Sequence, residues 1–257
     1  MIQLKNSEQI SIMKEAGRIT AEALLAAREH VREGISTKEL DTIIRNTIER
    51  AGAKPSFLGY AGFPGSACIS INDEVIHGIP SKNRILREGD IVKIDVGAFY
   101  KGFHGDSART YAVGRVSKEA EELIKATEES FYEGIKAVKS GNRIGDVGYA
   151  INSHVKNYGF STVKKYVGHG IGKDLHESPD VPNFGTPGRG VRICSGMALA
   201  IEPMVNVGVD TVSEMPDGWT VKTADGKLAA HYENTVVLTD SGLWILTEIE
   251  RENFMPR

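Results

Sequence analysis

The sequence predicts an α+β domain in which helices cover one side of a largely antiparallel sheet. Two pairs of segments carry apolar residues at helical spacing, and short apolar runs typical of strands lie between and after them. No linker-like or low-complexity stretch divides the 257 residues. We therefore expect a single domain over residues 1–257.

The first two helices are predicted by their periodicity and by the signals at their ends. Apolar or small residues recur every three or four positions over 10–31, and Gly34 is expected to stop this helix. Ser36 is a suitable N-cap with Glu39 three residues later, as in a capping box. A second apolar stripe then extends as far as Gly52.

The rest of the chain is predicted to combine strands with two more helices. Residues 53–66, rich in Gly, Pro and aromatic residues, are expected to form a loop. Helices are predicted from about 123 to near 141 and over about 145–158. Strands are predicted for residues 67–72, 91–100, 106–113, 160–168, 197–205, 219–223, 231–239 and 244–249.

Composition and charge exclude several classes of protein. The formal net charge is −3, and Lys and Arg are spread along the chain, which argues against a DNA-binding domain. Cys68 and Cys194 belong to no CxxC pattern, so neither a disulfide framework nor a cysteine zinc site is expected. A reduced, cytoplasmic location and no membrane span are expected, because no signal-peptide pattern or run of roughly 20 apolar residues occurs.

Asp95 and Asp106 are candidate metal ligands on a predicted hairpin. Asp95 lies inside the apolar run 91–96, where an ionised carboxylate is costly unless it is paired or bound to a metal. A two-residue turn at Tyr100 and Lys101 would place Asp106 directly opposite Asp95, at about 5 Å between Cβ atoms. A divalent cation would relieve the repulsion between the two carboxylates. In a different register, Asp95 would be exposed at a strand end and Asp106 would cap a turn.

Glu202, Glu233 and His169 extend this candidate cluster. Each glutamate is embedded in a predicted apolar strand, and His169 lies between glycines. Taken singly, each has an ordinary explanation. Glu202 would stand at a strand end before Pro203, Glu233 would face solvent, and His169 would be a turn residue. Together with the two aspartates they form a hard, oxygen-rich set, which suits a pair of Mn, Fe, Co or Zn ions better than a structural zinc. Hydrolysis of an amide is the natural task of such a pair.

A weak internal repeat links the two halves of the chain. His77-Gly-Ile is followed by a Gly and an apolar strand that ends in Asp95, and His169-Gly-Ile is followed by a similar strand that ends in Glu202. The repeat is either chance or the sign of two similar halves that face each other, with acidic residues where they meet.

Five ordered motifs give the sequence a resemblance to a known family. VIHGIP (75–80), KIDVGAFYKGFHGDSART (93–110), GHGIGKDLHESP (168–179), AIEPM (200–204) and YENTVV (232–237) are similar to those of the type I, bacterial-type methionine aminopeptidases of metallopeptidase family M24. The resemblance extends over about residues 4–250. It implies the pita-bread fold, with pseudo-twofold halves around a pair of metal ions.

The resemblance also implies a role for each candidate ligand. Asp95 would chelate one ion, Asp106 and Glu233 would bridge the two, and His169 and Glu202 would complete the other. Glu202 would also serve as the proton shuttle for the attacking hydroxide.

Two further histidines and an apolar pocket are implied for the substrate. His77 and His176 match the family's non-ligand histidines, which contact the scissile amide and stabilise the tetrahedral intermediate. The methionine pocket would be lined by Tyr60, Phe63, Cys68, Leu175 and Trp219, although ordinary packing would explain each of these five residues too. Phe63 is often Tyr in the family and Leu175 is often Phe, so the width of the pocket is open.

The implied activity is removal of the initiator methionine from nascent proteins with a small second residue. The cofactor would be two divalent ions, Fe(II), Mn(II), Co(II) or Zn(II), and the enzyme would be a cytoplasmic monomer with a docking place on the ribosome surface. The alternatives are another pita-bread aminopeptidase that cuts before proline, a creatinase-like enzyme without metals, and a non-catalytic binding protein on the same scaffold.

Overall fold

The computed structural model describes residues 2–248 and 254–256. Four α-helices occur in these residues, each in a segment predicted to be helical. They are α1 (Ser7–Arg28), α2 (Thr37–Arg50), α3 (Lys118–Ile135) and α4 (Ile144–Asn157).

The strands of the described residues pair only in antiparallel fashion and form four sheets. They are β1 (Lys54–Pro55), β2 (Ala67–Ile71), β3 (Glu74–Ile76), β4 (Ile91–Tyr100), β5 (Phe103–Ala112), β6 (Ser161–Thr162), β7 (Gly168–Gly170), β8 (Glu177–Val181), β9 (Ala198–Ile201), β10 (Met204–Asn206), β11 (Val212–Glu214), β12 (Val221–Thr223), β13 (Ala229–His231), β14 (Asn234–Leu238), β15 (Gly242–Ile245) and β16 (Phe254–Pro256). The largest sheet has the order β16-β15-β14-β9-β7-β8, and a second joins β1, β4 and β2 with β5.

The first half of the molecule is a helix pair packed on the sheet that contains β4. The predicted capping box begins α2: Ser36 accepts from the Glu39 backbone N–H, and the Glu39 carboxylate accepts from Ser36. Ile94 and its alternate neighbours on β4 share one buried cluster with apolar residues of α1 and α2. Because side chains alternate along a strand, Asp95 and Gly97 face away from the helices.

The second half repeats this arrangement with α3 and α4. Phe131 and Ile151 of these helices share a buried cluster with Leu199 of β9 and Val236 of β14. A helix pair on an antiparallel sheet therefore occurs twice, and the predicted α+β class is confirmed.

The register of the β4–β5 hairpin differs from the predicted one by two residues. Tyr100 pairs with Phe103, so the turn residues are Lys101 and Gly102 rather than Tyr100 and Lys101. Both turn residues have positive φ, 45° and 89°, which the tight hairpin turn requires and which glycine adopts without cost. Asp95 is consequently paired with Ala108, and Asp106 lies diagonally from Asp95 on the same face of the hairpin.

Two predicted strands are interrupted at their glutamates. The segment 197–205 is divided into β9 and β10 by Glu202 and Pro203, and the segment 231–239 is divided into β13 and β14 by Tyr232 and Glu233. The chain leaves one sheet and enters another at each break, because β9 and β14 belong to the six-stranded sheet and β10 and β13 pair elsewhere. Proline has no N–H to continue a ladder, which explains the first break.

Several smaller differences follow from pairing partners that the sequence pattern does not reveal. Helix α1 ends before Gly34, and only the ends of the segment 160–168 are in strands. The predicted loop 53–66 contains β1 and a 3-10 turn over Tyr60–Gly62, and β8 and β11 were not predicted. Of the predicted strand 244–249, residue 249 lies outside the described residues. Among the helices of the described ranges, none has both the length and the apolar character needed to cross a bilayer.

Candidate metal centre and substrate pocket

One cavity of about 150 Å³ contains the residues that were predicted for the site. Both halves of the molecule contribute to its walls. Within the described residues the lining consists of Phe57, Tyr60, Phe63, Cys68, His77, Asp95, Asp106, His169, Leu175, His176, Glu202, Trp219 and Glu233. Every predicted ligand, histidine and pocket residue is present, and Phe57 is the lining residue that the sequence interpretation missed.

The acidic residues reach the cavity from strands and from the two strand breaks. Asp95 lies on β4 and Asp106 on β5, on the hairpin face opposite the helices. Glu202 directly follows β9, and Glu233 directly precedes β14, its hydrogen-bonded neighbour. The breaks therefore turn both glutamates out of their sheet and toward the aspartates.

Asp106, His169 and Glu233 form the tightest group of potential ligands. One donor atom from each lies within 4.8 Å of the other two. The His169 Nε2 atom is 3.6 Å from Glu202 Oε1 and 4.0 Å from Asp106 Oδ2. Its Nδ1 atom lies 2.8 Å from the Gly170 carbonyl oxygen, which accepts its proton and leaves the Nε2 lone pair directed to the carboxylates.

Removal from water shifts the pKa values of these groups in the direction of their neutral forms. Burial raises the pKa of Asp95 to about 7, and the pKa of Asp106 is raised well above its usual range by burial and by the Asp95 charge. The pKa values of Glu202 and Glu233 are raised in the same way, first by burial and then by neighbouring carboxylates. The pKa of His169 is lowered to about 3, mainly by burial and next by the charge of His176.

The donor set fits a divalent cation. Asp95 Oδ1 and Asp106 Oδ1 are buried and have no hydrogen-bond partner among the described residues, although a buried carboxylate oxygen is normally satisfied. Four carboxylates around one cavity also repel one another strongly when ionised. Positive charge between them would remove both penalties, and carboxylate oxygen with imidazole nitrogen suits first-row divalent ions.

His77 and His176 stand at the edge of this cluster. His77 follows β3 with a φ of 60°, a left-handed conformation that aims its ring into the cavity. Burial and the His176 charge lower the pKa of His77 to about 4, so it is neutral near pH 7. His176 lies against His169 with ring centroids 4.2 Å apart, and its Nδ1 atom is 2.7 Å from the Tyr60 hydroxyl.

The remaining walls of the cavity are apolar. Phe63 and Trp219 meet edge to face with ring centroids 5.1 Å apart. Cys68 is a free, buried thiol on β2, and Leu175, which directly precedes His176 in the chain, is also buried. Phe57 completes the wall; it was missed because a single aromatic residue in a Gly- and Pro-rich loop carries no periodic signal.

His231 is a polar residue beside the cluster that the sequence interpretation missed. It is the last residue of β13, is 1% exposed, and has its Nε2 atom 3.8 Å from Glu202 Oε2 and 3.9 Å from Glu233 Oε2. Neither ring nitrogen has a hydrogen-bond partner among the described residues. Burial lowers its pKa to about 3. The available signal was its position two residues before Glu233, on the same side of the predicted strand 231–239.

Hydrogen bonds join the two halves directly behind the carboxylates. The Glu233 backbone N–H donates to the Ala108 carbonyl at 2.9 Å, and the Ala108 N–H donates back at 3.3 Å. The Thr235 hydroxyl accepts from the Asp106 N–H and donates to the Asp106 carbonyl, both at 2.9 Å. The candidate ligands of the first half are thereby fixed in position relative to those of the second.

Comparisons with known proteins agree with this architecture. A methionine aminopeptidase of Clostridium perfringens is 54% identical over 250 residues, which cover 97% of this chain and 100% of the relative. The crystal structure of methionine aminopeptidase from Thermotoga maritima matches with a TM-score of 0.95 at 43% identity, over 97% of this chain and 100% of that one. A prolidase from Pyrococcus furiosus matches less closely, with a TM-score of 0.78 at 26% identity, over 96% of this chain and 66% of that one.

The pita-bread fold and the carboxylate–histidine cavity together define a metal-dependent peptidase. Residues 11–240 match the model of metallopeptidase family M24. The chain belongs to metallopeptidase family M24.

Proposed function

We propose that this protein is a methionine aminopeptidase, which hydrolyses the first peptide bond of a polypeptide and releases N-terminal methionine. The observation that carries the proposal is one cavity in which five hard metal ligands adjoin an apolar, sulfur- and aromatic-lined wall. Relatives that align over their whole length and bear this name support it. The prolidase alternative is disfavoured, because that match is weaker and leaves about a third of the prolidase uncovered.

We assign two divalent ions to the site, chosen among Fe(II), Mn(II), Co(II) and Zn(II). Asp95 would hold one ion, His169 and Glu202 the other, and Asp106 and Glu233 both. The orphaned buried oxygens of the two aspartates and the proton-free Nε2 of His169 support this assignment. When bound, such a pair lowers the pKa of water and polarises a carbonyl group.

The chain's own residues would position the substrate and move its protons. Glu202 would take the proton of the attacking water and pass it to the leaving amine, a role supported by its raised pKa and its place at the cavity wall. His77 and His176, both neutral near pH 7 because burial lowers the pKa of each, would donate hydrogen bonds to the scissile amide and to the oxygen that gains charge.

The apolar wall would receive the methionine side chain. A thioether gains from contact with aromatic rings, here those of Tyr60, Phe63 and Trp219. We propose nascent polypeptides with a small second residue as substrates, within one catalytic domain over residues 1–257. Since nascent chains are made in the cytoplasm, we also propose a cytoplasmic monomer that works close to the ribosome surface.

The proposal is tested by metal-dependent release of methionine. The protein is stripped of metal, resupplied with Fe(II), Mn(II) or Co(II), and assayed on Met-Ala-Ser beside Leu-Ala-Ser. With at least one of these metals, we expect release of Met from Met-Ala-Ser and far slower release of Leu from Leu-Ala-Ser. Absence of metal-dependent Met release would contradict the aminopeptidase assignment, and equal release of Leu would contradict the specificity.

Two variants test the assigned ligands. His169→Ala and Glu202→Ala are expected to abolish turnover while the fold is retained, since each removes one wall group of a preformed cavity. Asp180→Asn, an exposed change on β8 beside the His169 strand, is the matched control and should keep full activity. Near-normal turnover in either alanine variant would remove that residue from the site.

A further inference from the structure

We propose that the Tyr60 hydroxyl is a positioning group for catalysis, because it donates a hydrogen bond to His176 Nδ1 and so keeps the ring proton on Nε2. The proposal rests on the proposed function, in which His176 acts as a hydrogen-bond donor to the substrate. It gives Tyr60 a role through His176, in addition to the contact of its ring with the pocket.

The hydrogen bond itself is short and well defined. The Tyr60 oxygen lies 2.7 Å from His176 Nδ1, and the two rings are 5.2 Å apart at 40°. A phenol is a better donor than acceptor, and an unprotonated imidazole nitrogen is a good acceptor. Desolvation and the nearby Asp174 charge raise the pKa of Tyr60, so its hydroxyl keeps the proton that it donates.

The direction of this bond decides what the opposite ring nitrogen can do. A neutral imidazole carries one proton, so a ring that accepts at Nδ1 carries its proton on Nε2. The His176 Nε2 atom has no hydrogen-bond partner among the described residues, and the ring lines the cavity. Only the Nε2–H form offers a donor there to an oxygen that gains charge, whereas the other form offers a lone pair and repels it.

Separate anchors hold the two partners in place. Tyr60 begins a 3-10 turn that is closed by hydrogen bonds from Gly59 N–H to the Phe63 carbonyl at 2.9 Å and from Phe63 N–H to the Tyr60 carbonyl at 2.8 Å. Ala61 within the turn has a φ of 47°, so this backbone shape is specific.

The loop that carries His176 is fixed by a buried ion pair. Lys5 Nζ lies 2.5 Å from Glu177 Oε2, and both side chains are almost wholly buried, at 3% and 4% exposure. The other oxygen of Glu177 accepts from the Lys173 N–H at 2.8 Å. Both ends of the Tyr60–His176 bond are therefore held before substrate arrives, which is the condition for a positioning role.

The decisive variant is Tyr60→Phe, which removes one oxygen and keeps the ring. Long-range 1H–15N spectra of the Zn(II)-loaded, 15N-labelled protein report the tautomer of each histidine, and His176→Asn identifies the His176 signals. We expect the Nε2–H form in the unaltered protein and a mixture of both forms in Tyr60→Phe. Tyr149→Phe, a change on the half-exposed ring of α4, is the matched control and should alter neither spectrum nor rate.

Kinetics on Met-Ala-Ser provide the second measurement. Loss of one hydrogen bond should lower kcat by about three- to tenfold, with KM changed by less than about twofold because the ring still lines the pocket. A raised KM with unchanged kcat would mean that the hydroxyl contacts substrate directly, and would overturn the proposal. An Nδ1–H form in the unaltered protein, or an unchanged tautomer in Tyr60→Phe, would overturn it too. The spectra need no turnover, so they test the hydrogen bond and its direction separately from the proposed function, which the absence of Met release would contradict.

Discussion

Replacing Asp95 by asparagine should stabilise the metal-free protein at neutral and higher pH. Burial raises the pKa of Asp95 from 3.8 to about 7, and each tenfold change in an acid dissociation constant corresponds to about 1.4 kcal/mol. The corresponding free energy, on the order of 4 kcal/mol, is an upper bound because part of the side chain faces the open cavity. We expect the metal-free variant to be more stable than the unaltered protein at pH 8 by an amount on the order of a few kcal/mol.

The pH dependence of this difference follows from the sign of the shift. A carboxyl group whose pKa is raised on folding gives its full stability below the unfolded pKa of about 4, and that stability is lost as the pH rises through about 7. Asparagine has no charge to acquire, so the difference in unfolding free energy between the two proteins should be near zero at pH 4 and should grow as the pH rises. Buried neutral histidines such as His77 and His231 destabilise the fold as the pH falls below about 6.5, but equally in both proteins.

Urea unfolding in EDTA at several pH values between 5 and 8 measures the difference. Asp180→Asn, exposed on β8, is the matched control and should show no growing difference. A saturating divalent ion should shrink this difference in stability, because it stabilises the unaltered protein by about 4 kcal/mol at a thousand times its Kd and binds the variant more weakly. A difference that does not depend on pH, or a variant less stable than the unaltered protein in EDTA at pH 8, would refute this reasoning.

Three further changes test the packing and the pocket. Gly105→Ala should lower the free energy of unfolding by about 1–3 kcal/mol, since a Cβ there would lie 2.8–2.9 Å from the backbone of α1 at Ala16 and Gly17. Thermal unfolding should show a lower Tm, and an unchanged Tm would contradict the contact. Asp41→Ala should lower the free energy of unfolding by about 1–3 kcal/mol, because this buried carboxylate accepts from two backbone N–H groups at the start of β2, at 2.6 and 3.1 Å. Urea unfolding measures this loss. Trp219→Ala should raise KM for Met-Ala-Ser more than it lowers kcat, since it removes the ring that packs against Phe63. A large fall in kcat with an unchanged KM would assign Trp219 to the chemical step.

Local signals made part of the fold predictable. The capping box at Ser36 and Glu39 is a contact between neighbours in the chain, so α2 could be placed from the sequence. The hairpin register could not, because it depends on which two residues take positive φ. Lys101 and Gly102 have positive φ and form the turn. Because the turn was predicted at Tyr100 and Lys101, the predicted strand pairing differs from the observed one by two residues.

The candidate site was more predictable than the sheets that form it. A carboxylate among apolar residues is conspicuous in a sequence because its burial is costly, so Asp95 and Glu202 stood out without any knowledge of pairing. The strand break at Glu202 depends on which strands pair, and that is set by contacts between distant segments. His231 was missed for a related reason: a strand histidine signals nothing until its unpartnered nitrogens and its two glutamate neighbours are seen together.

The backbone bonds between Ala108 and Glu233, with those of Thr235 to Asp106, have a consequence for how a substrate enters. They join the two halves directly beside Asp106 and Glu233, so a hinge opening of the halves would have to break these bonds and separate the candidate ligands of one half from those of the other. A substrate therefore enters over the rim of the cavity, where Tyr60 is 43% exposed on its 3-10 turn. Substrate selection would then depend on the preformed shape of the cavity and not on an opening and closing of the two halves.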